Sequence, residues 1–367
     1  MKKMLALTMG SYIGGTEIVT LQVLQILKTK FQIHCMVNGW NDGVFISELN
    51  KINVGYTTHK LGWFHLRKVF WTIDSLFNLP KAVLIFVMHT VINNYDLYYT
   101  TSYRPLTLLS PFIKKKVIYH VHEFNSQSKT NIFFIRKIDR KVIQYIAVSM
   151  GIKDDLINIG VDAKKINLVY NGVDTSLLRN ISERNTINIG IVGQIAPHKG
   201  HKLLFEAFKK LYKTNKNIRL IVRGTIIDSD FYRDLNEFQA MNGLGCVVHW
   251  KPYSNNLEEI YSEIDILCVP TVLAEPFGLV ACEAGALGIP VIASNSGGLK
   301  EIIRHNQTGF LITPNDLEQF IKKIKILLED EVIRMEMGYT AKKHIASNFS
   351  NERFSTSILN LFSKLYE

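Results

Sequence analysis

Residues 275 to 283, Glu275-Pro276-Phe277-Gly278-Leu279-Val280-Ala281-Cys282-Glu283, set two carboxylates eight positions apart on either side of a Pro-aromatic-Gly turn. The turn runs into a small-residue helix predicted over Ala281 to Ala286. Proline suits a helix's first turn, because its missing N–H would have had no partner there. The backbone N–H groups of Phe277, Gly278 and Leu279 are therefore candidates to aim at an anion. Glu275 would lie on the lip of that site. Glu283, two turns down, would be half-buried among Ala, Gly and Leu. A carboxylate so placed needs a partner, and vicinal hydroxyls such as those of a ribose would supply one. Two isolated glutamates would more often simply face water, so the flanking segments decide the matter.

Upstream, Ile264-Asp265-Ile266-Leu267-Cys268-Val269-Pro270 reads as a buried strand stopped by proline. Downstream, Leu287-Gly288-Ile289-Pro290-Val291-Ile292-Ala293 reads as helix stop, turn and next strand, and Ser296-Gly297-Gly298 makes a second flexible turn before Glu301. This order puts Glu275 and Gly297-Gly298 at the C-terminal ends of neighbouring parallel strands, where open α/β sheets bind ligands.

Both halves of the chain open alike. Residues 4–9 predict a strand, a Gly loop runs to Gly15, a helix spans about Thr16 to Lys28, and a strand follows at Phe31 to Val37. In the second half, Ile187 to Val192 is a strand, Gly193 to Gly200 a loop, Lys202 to Tyr212 an amphipathic helix and Ile218 to Val222 a strand. Further strands are expected at Leu97-Tyr98-Tyr99, Val117 to Val121, Tyr145 to Val148, Cys246 to Trp250 and Val291 to Ala293. Two βαβ openings in one chain predict two doubly wound domains. The polar run Asp174 to Asn185 is the natural linker, and helices dominate beyond Asp316.

Three further clusters could carry chemistry. Gly14-Gly15-Thr16-Glu17 opens a helix, where glycine lets a phosphate or sugar approach the backbone; it does not form Gly-x-Gly-x-x-Gly. Gly193-Gln194-Ile195-Ala196-Pro197-His198-Lys199-Gly200 puts Lys199 at a helix start, a poor place for a cation unless an anion sits there. His120-Val121-His122-Glu123 ends a strand with both histidines on one face. Two histidines at that spacing could bind a metal, but no third ligand is evident.

The 367 residues allow two domains with good cores, and 47% hydrophobic content argues against disorder. Cys35, Cys246, Cys268 and Cys282 show no Cys-x-x-Cys spacing and read as buried thiols in a reducing compartment. Met1-Lys2-Lys3 is followed by only about six apolar residues, too few for a signal segment. No run reaches the ~18 apolar residues of a bilayer span. Ala82 to Val87 with Val91-Ile92 comes nearest, interrupted by His89 and Asn93-Asn94.

The net charge of +11 is lopsided. Residues 1–170 hold 21 Lys and Arg against 10 Asp and Glu, whereas the remainder hold 22 of each. Lys114-Lys115-Lys116 and Arg136, Lys137, Arg140, Lys141 are the densest clusters. Nucleic-acid binding, adhesion to an anionic membrane surface and a plain solvated face are the three readings. The aromatics Trp63, Phe64, Phe70, Trp71, Phe77 and Phe86 favour membrane over nucleic acid, because they pair with aliphatic runs, and no nucleic-acid-binding motif occurs.

Pro-Phe-Gly-Leu, Glu-Ala, Gly-x-Pro-Val-Ile-Ala and Gly-Gly-x-x-Glu occur here in order and at matching spacing. The chain thus resembles the retaining glycosyltransferases of family four, the glycosyl transferases group 1. The resemblance implies an α/β GT-B fold, two Rossmann-like doubly wound domains facing across a cleft. Residues 1–172 would be the acceptor-side domain, joined by the helix 350–367; 173–186 would be the linker and 187–349 the donor domain. The implied reaction moves a sugar from a nucleotide-diphosphate donor, a UDP- or GDP-sugar, to a hydroxyl of a glycan or lipid-linked acceptor. Bacterial surface polysaccharide biosynthesis is the expected setting, at the cytoplasmic side and on an anionic membrane surface, with no cofactor, no metal and no nucleic acid.

The same resemblance implies the roles. Glu275, His122 and Lys199 would be catalytic; Gly14, Gly15, Gln194, Lys199, Arg223, Phe277, Gly278, Leu279 and Glu283 would bind the donor. His122 would serve a sugar hydroxyl or a polarised carbonyl, and Gly14-Gly15 would lie over the phosphates. The family often has Arg where Gln194 stands, so Lys199 carries more of the phosphate charge, alone or with Arg223. Asn171-Gly172-Val173-Asp174 resembles the interdomain crossover, and Val148-Ser149 also matches the family. A GT-B nucleotide-sugar epimerase is the alternative, separable because it turns over without an acceptor.

Overall fold

The computed structural model describes residues 1–10, 13–61, 69–179 and 184–365. Trp63, Phe64, the Trp71 side chain, linker residues 180–183 and Tyr366 lie outside the described residues. The chain separates into two compact units, Met1–Tyr170 with Phe354–Glu367, and Asn171–Arg353.

The first unit is built on parallel strands β1 (Lys2–Leu7), β2 (Phe31–Asn38), β3 (Gly55–His59), β4 (Leu97–Thr100), β5 (Lys116–Val121), β6 (Val142–Ala147) and β7 (Ile166–Leu168). Their order in the sheet is β3-β2-β1-β4-β5-β6-β7. Strands buried on both faces read as apolar runs rather than alternations: β1 is buried from Met4 to Leu7 and β5 from Val117 to Val121. The order reverses between β1 and β4, which makes the C-terminal ends of those two strands the topological switch point. The final helix, Asn351–Ser363, gives Phe354, Ile358, Leu361 and Phe362 to this unit's core, beside Met4, Leu27 and Phe31. The Phe31 and Phe362 rings meet edge-on at 6.0 Å.

The second unit repeats the scheme with β8 (Ile187–Val192), β9 (Ile218–Arg223), β10 (Val248–Lys251), β11 (Ile266–Val269), β12 (Val291–Ser294) and β13 (Gly309–Ile312). All run parallel in the order β10-β9-β8-β11-β12-β13. Here the switch point falls between β8 and β11, so the loops leaving these two strands converge.

Two departures from the sequence reading concern helices. Residues 69–93 form one continuous helix, Val69–Asn93, with Pro80 inside it. Its stretch Thr72–Asn93 has a mean hydropathy of 1.6 and is, by length and composition, long and apolar enough to cross a membrane. No uninterrupted apolar run reveals it, because Asp74, Ser75, Asn78, Pro80, Lys81, His89 and Thr90 break the run without lowering the average enough. The helix after Pro276 also starts elsewhere than expected, at Leu279, running to Ala286.

Candidate functional site

In the second unit three loops are pinned together at the switch point. The loop after β8 ends in the short 3-10 turn Pro197–Lys199 and then the helix His201–Thr214. The His198 carbonyl accepts from the Val272 N–H (2.8 Å) and the Thr271 hydroxyl (3.1 Å), both in the loop after β11. Gly200 allows this approach: a Cβ there would lie 1.9 Å from the Pro270 carbonyl oxygen, and its φ of +78° suits glycine. On the other side, the Gly298 N–H donates to the Glu275 carbonyl at 2.8 Å. Gly297, at φ +53°, would place a Cβ 2.0 Å from that same oxygen. The glycine pair after β12 is thus a close-packing device that fixes the backbone of Glu275.

The result is a direct ion pair. Lys199 Nζ donates to both Glu275 oxygens, at 3.1 and 2.9 Å, and both side chains are largely shielded (25% and 19% exposed). Two groups 76 positions apart in the chain become one charged unit at the ends of β8 and β11. A half-buried pair of this kind repays desolvation only with close geometry, and the bifurcated contact supplies it.

Just beyond, Gly278 caps the helix Leu279–Ala286 with φ +111°. This left-handed residue stands immediately before the helix, so Pro276 precedes the cap rather than occupying the first turn. Among the described residues, the N–H groups of Gly278 and Leu279 meet no acceptor. Phe277 is buried, its ring edge-on to Phe349 at 6.0 Å.

Glu283 lies about one turn into this helix. Burial pushes its carboxyl up to about 7, against the lowering effect of a hydrogen bond from Tyr261. The Tyr261 hydroxyl donates to Oε2 at 2.7 Å, and no described donor takes Oε1. The residue as a whole keeps some surface exposure, which leaves this oxygen a route to a ligand. Tyr261 is the site residue that sequence reading missed. It sits 22 positions upstream, on the short helix Leu257–Tyr261. The only signal for it was that a buried carboxylate needs a donor.

The remaining donor-side candidates are less directly engaged. Gln194 is half-buried in the loop after β8. Arg223, at the end of β9, is buried, and its Nη1 donates to Glu259 Oε1 (2.9 Å) and the Pro252 carbonyl (3.2 Å). Its guanidinium is therefore tied to its own neighbourhood rather than to Lys199.

The first unit carries Gly14, Gly15 and His122. Gly14, in extended conformation, caps the helix Gly15–Leu27, and its N–H donates to Glu17 Oε2 at 3.1 Å. Burial raises the Glu17 carboxyl pKa, opposed by backbone hydrogen bonds. A Cβ on Gly10 would collide with that carboxylate at 2.1 Å, whereas no atom of the described residues lies within 4 Å of one on Gly15. Gly10 thus makes room for the capping side chain, and Gly15 leaves open space at the helix start.

His122 follows β5, its ring centroid 4.1 Å from that of His120. The two rings do share a face, as the spacing predicts. Burial holds His122 down at about 3, and burial followed by His122 itself holds His120 well below its ordinary range. His120 Nδ1 is hydrogen-bonded to the Tyr99 hydroxyl at 2.8 Å, and the Nε2 atoms of both histidines are buried without a partner among the described residues. Among the described residues no group of three or more His, Cys, Asp or Glu could hold a metal ion.

Comparison with known proteins bears on the family and the fold. Residues 178–344 match the family model for glycosyl transferases group 1, and residues 13–177 match that for glycosyltransferase family 4. An uncharacterized glycosyltransferase of Methanocaldococcus jannaschii is 29% identical over 60% of this chain and 59% of its own length. The capsular polysaccharide biosynthesis glycosyltransferase CapM of Staphylococcus aureus is 28% identical over 53% of this chain and 50% of its own. The chain thus matches only about half to three-fifths of these curated relatives. Among solved structures, Anabaena HepE in complex with UDP and glucose superposes with a TM-score of 0.85 at 20% identity, covering 99% of this chain and all of the other. The two doubly wound units form the GT-B fold. The chain belongs to glycosyltransferase family 4.

Proposed function

We propose that this protein transfers a hexosyl unit from a UDP- or GDP-sugar to a hydroxyl of a glycan or lipid-linked acceptor, with retention at the anomeric carbon and without a metal. The observation that carries the reading is the Lys199–Glu275 pair at the switch point of the second unit, beside the Gly278 and Leu279 amides. A cation, free amides and a carboxylate with one open oxygen match a nucleoside diphosphate: Lys199 and the amides for the phosphates, Glu283 for the ribose hydroxyls. HepE, described with UDP and glucose, supports this donor class, and CapM supports polysaccharide synthesis as the setting.

In this reading the bond between the anomeric carbon and the diphosphate oxygen breaks while the acceptor oxygen bonds to that carbon on the same face. The departing phosphate oxygen takes the acceptor's proton, so no separate base is required. Lys199 compensates the charge growing on the leaving group. Glu275, exchanging its ammonium partner for a sugar hydroxyl, stabilises positive charge at the anomeric carbon. His122, neutral across the working pH range, offers hydrogen bonds rather than charge.

The test is a panel of UDP- and GDP-sugars, scored first by thermal shift and then by turnover with and without a hydroxyl acceptor. Stabilisation by one donor class and acceptor-dependent release of the nucleoside diphosphate are expected. Turnover of the sugar at equal rate without acceptor would replace the reading by an epimerase.

A further inference from the structure

The Val69–Asn93 helix of the first unit has two apolar faces. One is anchored: Ser75, Ala82 and Phe86 are buried, Phe86 packs on Tyr98 with ring centroids 6.1 Å apart, Trp40 Nε1 donates to Asp74 (3.0 Å), and the Tyr95 hydroxyl meets His89 Nδ1 (2.8 Å). The opposite face is bare. Phe70, Ile73, Phe77, Leu84, Met88 and Val91 are between 54% and 86% exposed. With Lys81 they recur at steps of three or four, which is one stripe of an α-helix. That stripe runs for about 30 Å along the unit.

Exposed apolar area of this size marks an interaction surface. The occupant must suit an apolar strip with a single cation at its middle. Residue 81 is the midpoint of the helix, so a twofold antiparallel pairing with a second copy would press Lys81 against Lys81 at the centre of the interface. Lipid has no such conflict, because a lysine stem lies along the acyl boundary while its ammonium reaches the headgroups. The first 170 residues also carry the chain's whole basic excess. Anchorage of the inner face along the helix fits a segment lying in the interface plane rather than crossing it.

We propose that the outer stripe of this helix, from Phe70 to Val91, beds the first unit into the surface of an anionic bilayer. The inference does not rest on the transfer reaction, and its test uses no nucleotide sugar. The full chain is floated with vesicles of phosphatidylcholine alone or mixed with phosphatidylglycerol. The wild type should bind the mixed vesicles more tightly than the neutral ones. Phe77→Ser with Val91→Ser should weaken that binding about tenfold or more, through the apolar area withdrawn from lipid, with an unchanged melting temperature because both side chains are exposed. Leu84→Ser with Met88→Ser should do the same. Binding that neither pair lowers would overturn the proposal. So would a dimer in light scattering that these substitutions dissolve, in a chain that ignores vesicles.

Discussion

The two units use one architecture to opposite electrostatic ends. At the switch point of the second unit stands a formal ion pair, held by three interlocked loops whose glycines admit backbone contacts of 2.0 Å or less for any added Cβ. The candidate groups of the first unit are uncharged or masked: an open glycine helix start, a carboxylate spent on its own cap, and a histidine held neutral by burial. Charge is expensive to bury and must be rigidly partnered, so it appears where the loops are pinned. Neutral hydrogen-bonding groups tolerate the simpler setting.

The contrast can be broken in several places. Glu275→Ala and Lys199→Ala should each lower sugar transfer by about 10²-fold or more in steady-state assays, the scale of one lost electrostatic stabiliser. Near-wild-type turnover in both would remove the charged site. Glu283 comes next. Its folded pKa lies above the ordinary value, so its contribution to stability is fully present below pH 4.5 and is lost as pH rises through about 7. The difference amounts to about 3 kcal/mol. Denaturant titrations of wild type and Glu283→Gln should therefore converge at acid pH and diverge above neutrality, with the glutamine variant the more stable.

Gly297→Ala should cost about 2 kcal/mol of stability, from its positive φ and the collision with the Glu275 carbonyl, and should depress turnover by moving Glu275. Gly15→Ala tests the other unit by the reverse outcome. With open space around its Cβ, the melting point should hold or rise, while the Michaelis constant for the donor climbs several-fold if a ligand passes over that helix start. The smallest effect is expected at His122. A histidine neutral above about pH 3 adds no inflection, so the ratio of kcat/KM between wild type and His122→Asn should stay flat from pH 5 to 8. A step near 6.5 would show that it titrates after all.

Much of this was legible because parallel strands and glycine loops write themselves locally. The span of β8, Ile187 to Val192, reads directly from its apolar run, and Glu275 and Lys199 stand out by their flanks. What stayed hidden depended on distance or on averages. Short β3, Gly-Tyr-Thr-Thr-His at the sheet edge, buries only its last residue and has no apolar signature. Tyr261 finds Glu283 only through folding. The partners of Arg223, Glu259 and the Pro252 carbonyl, lie 36 and 29 positions away and leave no local trace. The Val69–Asn93 helix concealed its length behind an internal proline and several polar interruptions.

The Lys199–Glu275 contact also bears on how a donor would experience salt. A site that offers a bare ammonium loses affinity steeply as ionic strength rises, because screening weakens only the complex. Here an arriving diphosphate would displace an anion already seated on the same nitrogen, so screening acts on both sides of the exchange. On the proposed reading, nucleoside diphosphate affinity should depend only shallowly on salt. Glu275→Gln, which frees the ammonium, should make that dependence steeper.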